Sequence, residues 1–149
     1  MLLREFCTTD VISCERATTV LQAAEIMRRK HVGDLVVVDS ESDGRTPVGI
    51  LTDRDIVVRV VGNELDPGRV TVGEIMRTPI VVGNENEGAA DAIARMRFHG
   101  VRRLPIIGGR GHLVGIVTMD DLLRLLISDT SALLEVAHKE QDREQRSIR

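Results

Sequence analysis

The chain has 149 residues, is 42% hydrophobic and 29% charged, and carries a formal net charge of −3. That balance fits one soluble globular unit able to bury a real core, and it offers no general attraction to nucleic acid or to an anionic membrane. Phe6 and Phe98 are its only aromatic residues, so stacking platforms for single-stranded nucleic acid are missing, and a bound base has to be held by aliphatic side chains and backbone.

Cys7 and Cys14 have no histidine near them. They lack a metal-binding spacing and are too few for a disulfide scaffold, so they read as thiols in a reducing cytosol. The start of the chain shows no basic region followed by a long apolar run, and no apolar stretch reaches the ~18 residues of a membrane span. The expected location is cytoplasmic.

In chain order, residues 10–13 read as a short strand and residues 19–30 as an amphipathic helix. Val20, Ala23, Ala24 and Met27 fall at i, i+3, i+4 and i+7, with Thr18 or Thr19 as the cap. Residues 35–38 and 48–51 make a hairpin around residues 39–47, a turn by composition. Residues 56–61 have strand propensity when taken alone. Residues 62–71 form a linker, and Thr71-Val72-Gly73-Glu74 reads as a capping box opening a short helix. The series then restarts. Residues 79–82 are a strand, and residues 88–99 are a helix with Ala89, Ala92, Ile93 and Met96 on one face. Residues 104–107 and 113–117 are a hairpin around the glycine-rich turn 108–111, and residues 122–127 look helical.

The restart is a repeat in the residues themselves. Ala23, Met27, Arg28, Val32 and Leu35 recur as Ala92, Met96, Arg97, Val101 and Leu104, a shift of 69. Gly49-Ile50-Leu51-Thr52-Asp53-Arg54-Asp55 recurs as Gly115-Ile116-Val117-Thr118-Met119-Asp120-Asp121, a shift of 66. Copy one therefore carries three extra residues, confined to its hairpin turn. One repeat has one structure, so residues 56–61 are expected to be helical like residues 122–127. The expected fold class is α+β: two β-α-β-β-α repeats, residues 3–61 and 72–127, packed on each other with pseudo-two-fold symmetry. Residues 128–149 form a polar, partly helical tail. In it Leu133, Leu134 and Val136 can dock one last turn, and Glu135–Lys139 and Asp142–Arg146 sit at i, i+4.

Thr52-x-x-Asp55 and Thr118-x-x-Asp121 each join a strand to a helix. The structural reading is a capping box. The functional reading uses the same geometry: free N–H groups and the positive dipole end suit a phosphate, and a carboxylate one turn in can accept both hydroxyls of a ribose. Gly49 and Gly115 would let a ligand approach the strand. His31, His99, His112 and His138 do not fall at equivalent repeat positions, and no His/Asp/Glu set has metal-ligand spacing in the chain. No catalytic triad or phosphate loop is present. Neither an enzymatic activity nor a metal is expected.

The doubled Gly-h-h-Thr-x-x-Asp junction, the Leu-x-Val-Val and Leu-Pro-Ile-Ile strands and the β-α-β-β-α repeat resemble a tandem pair of cystathionine-β-synthase-type (CBS) domains, a Bateman module, over about residues 3–127. The resemblance implies an adenosyl ligand (AMP, ADP, ATP or S-adenosylmethionine) in the cleft between the repeats, with Mg²⁺ only beside a polyphosphate. It implies Asp55 and Asp121 on the ribose, Thr52 and Thr118 near the phosphate, and Arg102 and Arg103 facing phosphates. It also implies Ile12 and Ile80 in the strands that wall the adenine. Arg54 stands in copy one where copy two has Asp120, and Gly33-Asp34 stands where copy two has Arg102-Arg103. The two sites are therefore expected to differ. A homodimer packed through its helices, and an energy-sensing role exerted through a protein partner, follow from the same resemblance. The alternatives are an S-adenosylmethionine-binding pair, a structural or interaction module without nucleotide and, disfavoured by charge and by the missing aromatics, a nucleic-acid-binding pair.

Overall fold

The computed structural model describes residues 1–147; the last two residues of the expected tail lie outside the described residues. The element order is α1 (Leu3–Phe6), β1 (Ser13–Glu15), α2 (Val20–Lys30), β2 (Asp34–Glu41), β3 (Gly44–Thr52), α3 (Asp53–Ile56), α4 (Val72–Ile75), β4 (Gly83–Asn84), α5 (Ala89–His99), β5 (Arg103–Ile107), β6 (Leu113–Thr118) and α6 (Met119–Ser147). The strands form two three-stranded sheets, ordered β1-β2-β3 and β4-β5-β6. In each, the first strand pairs in parallel and the hairpin is antiparallel. Register shifts fall at equivalent places, between Val37 and Val38 and between Ile106 and Ile107, so even the irregularities repeat.

Local chemistry accounts for the helix ends. Thr19 caps α2 through its hydroxyl, and Gln22 reaches back to the Thr19 N–H. Both long repeat helices end on a left-handed residue, His31 (φ 55°) for α2 and Gly100 (φ 65°) for α5. This is the conformation that closes a helix C-terminus. The valine-rich residues 56–61 are helical, as the repeat demanded. α3 runs on as one π turn, Val57–Val61, with only Val60 of that turn buried.

Four expectations need correction. The first strands lie further along the chain, at Ser13–Glu15 and Gly83–Asn84 rather than residues 10–13 and 79–82. The apolar residues before them run extended without a ladder, and Pro79 brings no N–H to one. The three extra residues of copy one lengthen the hairpin: β2 and β3 stay paired as far as Glu41 and Gly44, because an antiparallel ribbon absorbs an insertion by adding paired positions. α4 forms, but without the expected reciprocal cap, since the Thr71 hydroxyl bonds the Glu74 carboxylate 3.1 Å away and caps no N–H. Finally, α6 continues unbroken through Ser147, and Leu133, Leu134 and Val136 are 70%, 57% and 62% exposed rather than docked.

The two copies exchange their leading segments. Leu3 of α1 is fully buried in the second core with Ala92, Met96, Leu104 and Val117. Val72 and Ile75 of α4 are buried in the first core with Val20, Ala23, Leu35 and Leu51. The chain just after each short helix then bridges to the other copy's last strand, Thr8 to Ile116 and Arg77 to Ile50. Between the sheets Val11, Val36, Val38 and Leu113 form a third buried cluster.

Gly49 and Gly115 serve this exchange. A Cβ on Gly49 would meet Met76 Sδ at 2.7 Å and the Arg77 carbonyl at 3.1 Å. A Cβ on Gly115 would meet Cys7 Sγ at 2.6 Å and the Thr8 carbonyl at 3.1 Å. The face expected to receive a ligand receives the crossing chain instead. Gly115→Ala is accordingly expected to cost about 1–3 kcal/mol of stability, an overpacking effect, read from urea unfolding of the ligand-free protein. Unchanged stability would mean that the crossing segment is not seated there.

Candidate functional site

Both strand-to-helix junctions form the reciprocal cap. At the first, the Asp55 N–H donates to Thr52 Oγ1 (3.1 Å) and the Thr52 N–H donates to Asp55 Oδ2 (3.0 Å). At the second, the Asp121 N–H donates to Thr118 Oγ1 (3.2 Å), and the Thr118 N–H and hydroxyl both donate to Asp121 Oδ2 (2.8 and 2.9 Å). The capping reading is therefore true of both copies, and it uses one carboxylate oxygen of each acid.

The second oxygens differ. Asp55 is 2% exposed, and its Oδ1 accepts from Arg77 Nε at 2.9 Å. Burial pushes the Asp55 carboxyl up, but the Arg77 guanidinium and the Thr52 hydrogen bonds outweigh it and hold the group below the ordinary carboxylate range. Asp121 is half-buried, and among the described residues its Oδ1 has no hydrogen-bond partner. The repeat explains the difference. Arg77 lies at the position where copy one has Thr8, so only the first junction receives a cation from the crossing chain. The Asp55 carboxylate is occupied from within; among the described residues the Asp121 carboxylate keeps one edge unpaired.

A cleft of about 200 Å³ opens between the copies. Ile50, Thr52 and Arg77 line one side, and Ile80, Val81 and residues 101–103 line the other. A smaller hollow of about 130 Å³ shares Arg102 and Arg103 with it and reaches Asp34, Thr118 and Asp120. Apolar walls at one end and a pair of arginines beside a helix N-terminus at the other suit a ligand with a flat base and an anionic tail. Arg103 Nε lies 2.9 Å from Asp34 Oδ1. Burial raises the Asp34 carboxyl; the Arg103 charge and hydrogen bond lower it, Asp53 raises it again, and the net shift is upward. Arg102 is exposed and has no ion pair among the described residues.

Of the residues singled out from sequence, Thr52, Ile80, Arg102 and Arg103 line the cleft, and Thr118 lines the adjoining hollow. Asp121 and Asp55 line neither the cleft nor the hollow; Asp121 is hydrogen-bonded to Thr118, and Asp55 to Thr52 and Arg77. Ile12 packs against the first core and lends its carbonyl to the Val36 N–H, and Arg54 is exposed; neither lines the cleft. Arg77 was not singled out. Its only sequence signal is a cation present in one copy and absent from the other. Asp34 was noted as the counterpart of Arg103 but not as its partner; the two equivalent positions meet across the pseudo-two-fold axis. The thiols carry no reactive signature, since burial raises the pKa of Cys7 and pushes that of Cys14 up to about 11. Among the described residues no helix is long and apolar enough to cross a membrane.

Comparison with known proteins agrees with this architecture. The CBS domain profile matches residues 3–62 and 72–128, and the chain belongs to the CBS domain family as a tandem pair. The CBS domain-containing protein YhcV of Bacillus subtilis is 36% identical over 140 residues, covering 92% of this chain and 96% of its own length. A protein of Methanopyrus kandleri is 36% identical over 121 residues, 81% of this chain, and the chain spans only 60% of that relative. Among solved structures, the CBS domain pair of protein MJ0100, in complex with 5′-methylthioadenosine and S-adenosyl-L-methionine, superposes with a TM-score of 0.73 at 25% identity, over 87% of this chain and 98% of that one.

Proposed function

We propose that this CBS pair is a regulatory module that binds an adenine nucleotide (AMP, ADP or ATP) in the inter-copy cleft, chiefly at the second junction, and is not an enzyme. The observation that carries the reading is the contrast between the two acids: Asp121 keeps a carboxylate edge for ribose hydroxyls, whereas Asp55 is spent on Arg77. Ile80 and Val81 would flank the base, and Arg102, Arg103 and Thr118 would face the phosphates. The ligands of the MJ0100 pair favour the adenosyl class and keep S-adenosylmethionine as the second reading. Arginines at the far end of the cleft favour an anionic tail over a sulfonium, because like charges in a partly desolvated site repel. Mg²⁺ would enter only with ADP or ATP.

Such a module acts through something else in the cytoplasm. Ligand binding closes the cleft and shifts affinity for a partner by the factor with which that partner shifts ligand affinity. Val57 and Val61 of copy one and their counterparts Leu123 and Ile127 of copy two are 59%, 63%, 47% and 64% exposed. These matched apolar helix faces support a homodimer.

The protein has no Trp or Tyr, so nucleotide carried through purification dominates its absorbance near 260 nm. Titration of stripped protein with AMP, ADP, ATP and S-adenosylmethionine, followed by thermal shift, tests the reading. If none of the four raises the melting temperature, the structural-module alternative stands. Asp34→Asn should tighten AMP binding by about threefold to tenfold, because it frees Arg103 from a competing carboxylate worth about 1 kcal/mol. Calorimetric titration of the variant checks this, and unchanged affinity would place the phosphate away from Arg103.

A further inference from the structure

The two copies also meet at the tips of their hairpins. Glu41 ends β2 and Asp43 sits in the adjoining turn, inside the stretch that is longer in copy one. His112 precedes β6 in copy two. Along the chain the acids and the histidine are about seventy positions apart, and the fold brings them together. His112 Nε2 lies 3.8 Å from Glu41 Oε2 and 3.7 Å from Asp43 Oδ1, and one donor atom from each of the three lies within 4.8 Å of the others. These separations are too long for hydrogen bonds. They are close to the spacing of donors on one ion: ligands about 2.1 Å from a tetrahedral metal stand about 3.4 Å apart.

The histidine is fixed in place. Its side chain is 16% exposed, and its ring lies on Gly44, where a Cβ would come within 2.4 Å of Nδ1. A glycine at that point lets the ring reach the turn, with Nε2 toward both carboxylates. The three side chains make no hydrogen bond among the described residues, so a half-buried ring nitrogen and two acids converge without satisfying one another. Among the described residues one arginine pairs with the cluster, Arg110, whose Nη1 stands 3.7 Å from Asp43 Oδ2, the oxygen not turned to the histidine. It is 79% exposed and can swing away.

We propose that Glu41, Asp43 and His112 form a binding site for one first-row divalent transition ion of the zinc type, fastening the hairpin of copy one to that of copy two. An imidazole with two carboxylates suits such an ion and leaves a position for water, whereas Mg²⁺ and Ca²⁺ prefer all-oxygen sets. None of the three residues lines the inter-copy cleft, so the site is independent of nucleotide.

The test is equilibrium dialysis of the full, nucleotide-free chain against zinc chloride, with the melting temperature read alongside. The expected result is one zinc ion held per chain with a raised melting temperature, and no rise with magnesium. Asp43→Asn and His112→Gln should each weaken zinc binding at least about tenfold and abolish the thermal shift. Glu41→Gln, on an exposed strand end, does the same without burdening the fold and decides the matter if His112→Gln misfolds. His31→Gln, on a remote helix end, should bind zinc as the wild type does. No zinc uptake by the wild type, or equal uptake by Asp43→Asn and Glu41→Gln, would overturn the proposal.

Discussion

Asp121→Ala is expected to lower AMP affinity by about 3 kcal/mol, roughly 150-fold, because a charged acceptor for the ribose hydroxyls is lost from a partly desolvated site. Calorimetric titration measures it directly. The variant also loses the carboxylate half of the reciprocal cap of α6, so the ligand-free protein should be about 1 kcal/mol less stable, a cost that separate unfolding measurements remove from the comparison. Asp55→Ala is the control. Its carboxylate is already paired with Arg77, so affinity should stay within about threefold of wild type. Equal losses in the two variants would mean that both junctions hold ribose, and no loss in Asp121→Ala would take the ribose away from this junction altogether.

Arg77→Met should have the converse effect: little change in the ribose contact and a large one in stability. It strands a carboxylate that is 2% exposed with only Thr52 to bond it. Breaking a buried pair from one side costs several kcal/mol; since Arg77 itself is 57% exposed, about 2 kcal/mol at neutral pH is the expected loss. The pH dependence follows from the depressed pKa of Asp55. The unfolded carboxyl titrates near about 3.9 and the folded one lower, so the unfolded chain takes up the proton first. The stability Asp55 contributes is complete above about pH 5 and is lost as pH falls through the folded value. Removing Arg77 raises the folded pKa and should flatten this acid limb. Urea unfolding at a series of pH values from neutral down to about pH 3 distinguishes the cases; parallel losses in wild type and variant would acquit the ion pair.

The repeat made most of the fold legible. It assigned a helix to the valines of residues 56–61 against their own propensity, and the same logic foretold two sheets with matching hairpins. It could not place β1 and β4. Apolar residues ahead of each strand look alike whether they join a ladder or line the gap between copies. Nor could composition see that Ser40 and Glu41 would be strand, because length and pairing decide that, not residue type. At the candidate site, the acids and threonines stood out because the motif is doubled, whereas Arg102 and Arg103, which have no twins in copy one, stood out only through the family resemblance. Arg77 did not, because its role depends on which copy the chain crosses to. The convergence of His112 with Glu41 and Asp43 was hidden for the same reason: it is contact across the seam, with no spacing in the chain to announce it.

The exchange of α1 and α4 puts the unit that is repeated in sequence out of phase with the unit that buries a core. Residues 3–62 and 72–128 are the matched domains, but the first hydrophobic cluster is closed by Val72 and Ile75, and the second by Leu3. Each half supplies the lid of the other. A single repeat cut at the linker would carry a lid with nothing to cover and leave its own core open to water. The two halves are therefore expected to share one melting event rather than two, and anything that tightened the seam at one junction would be felt in both cores.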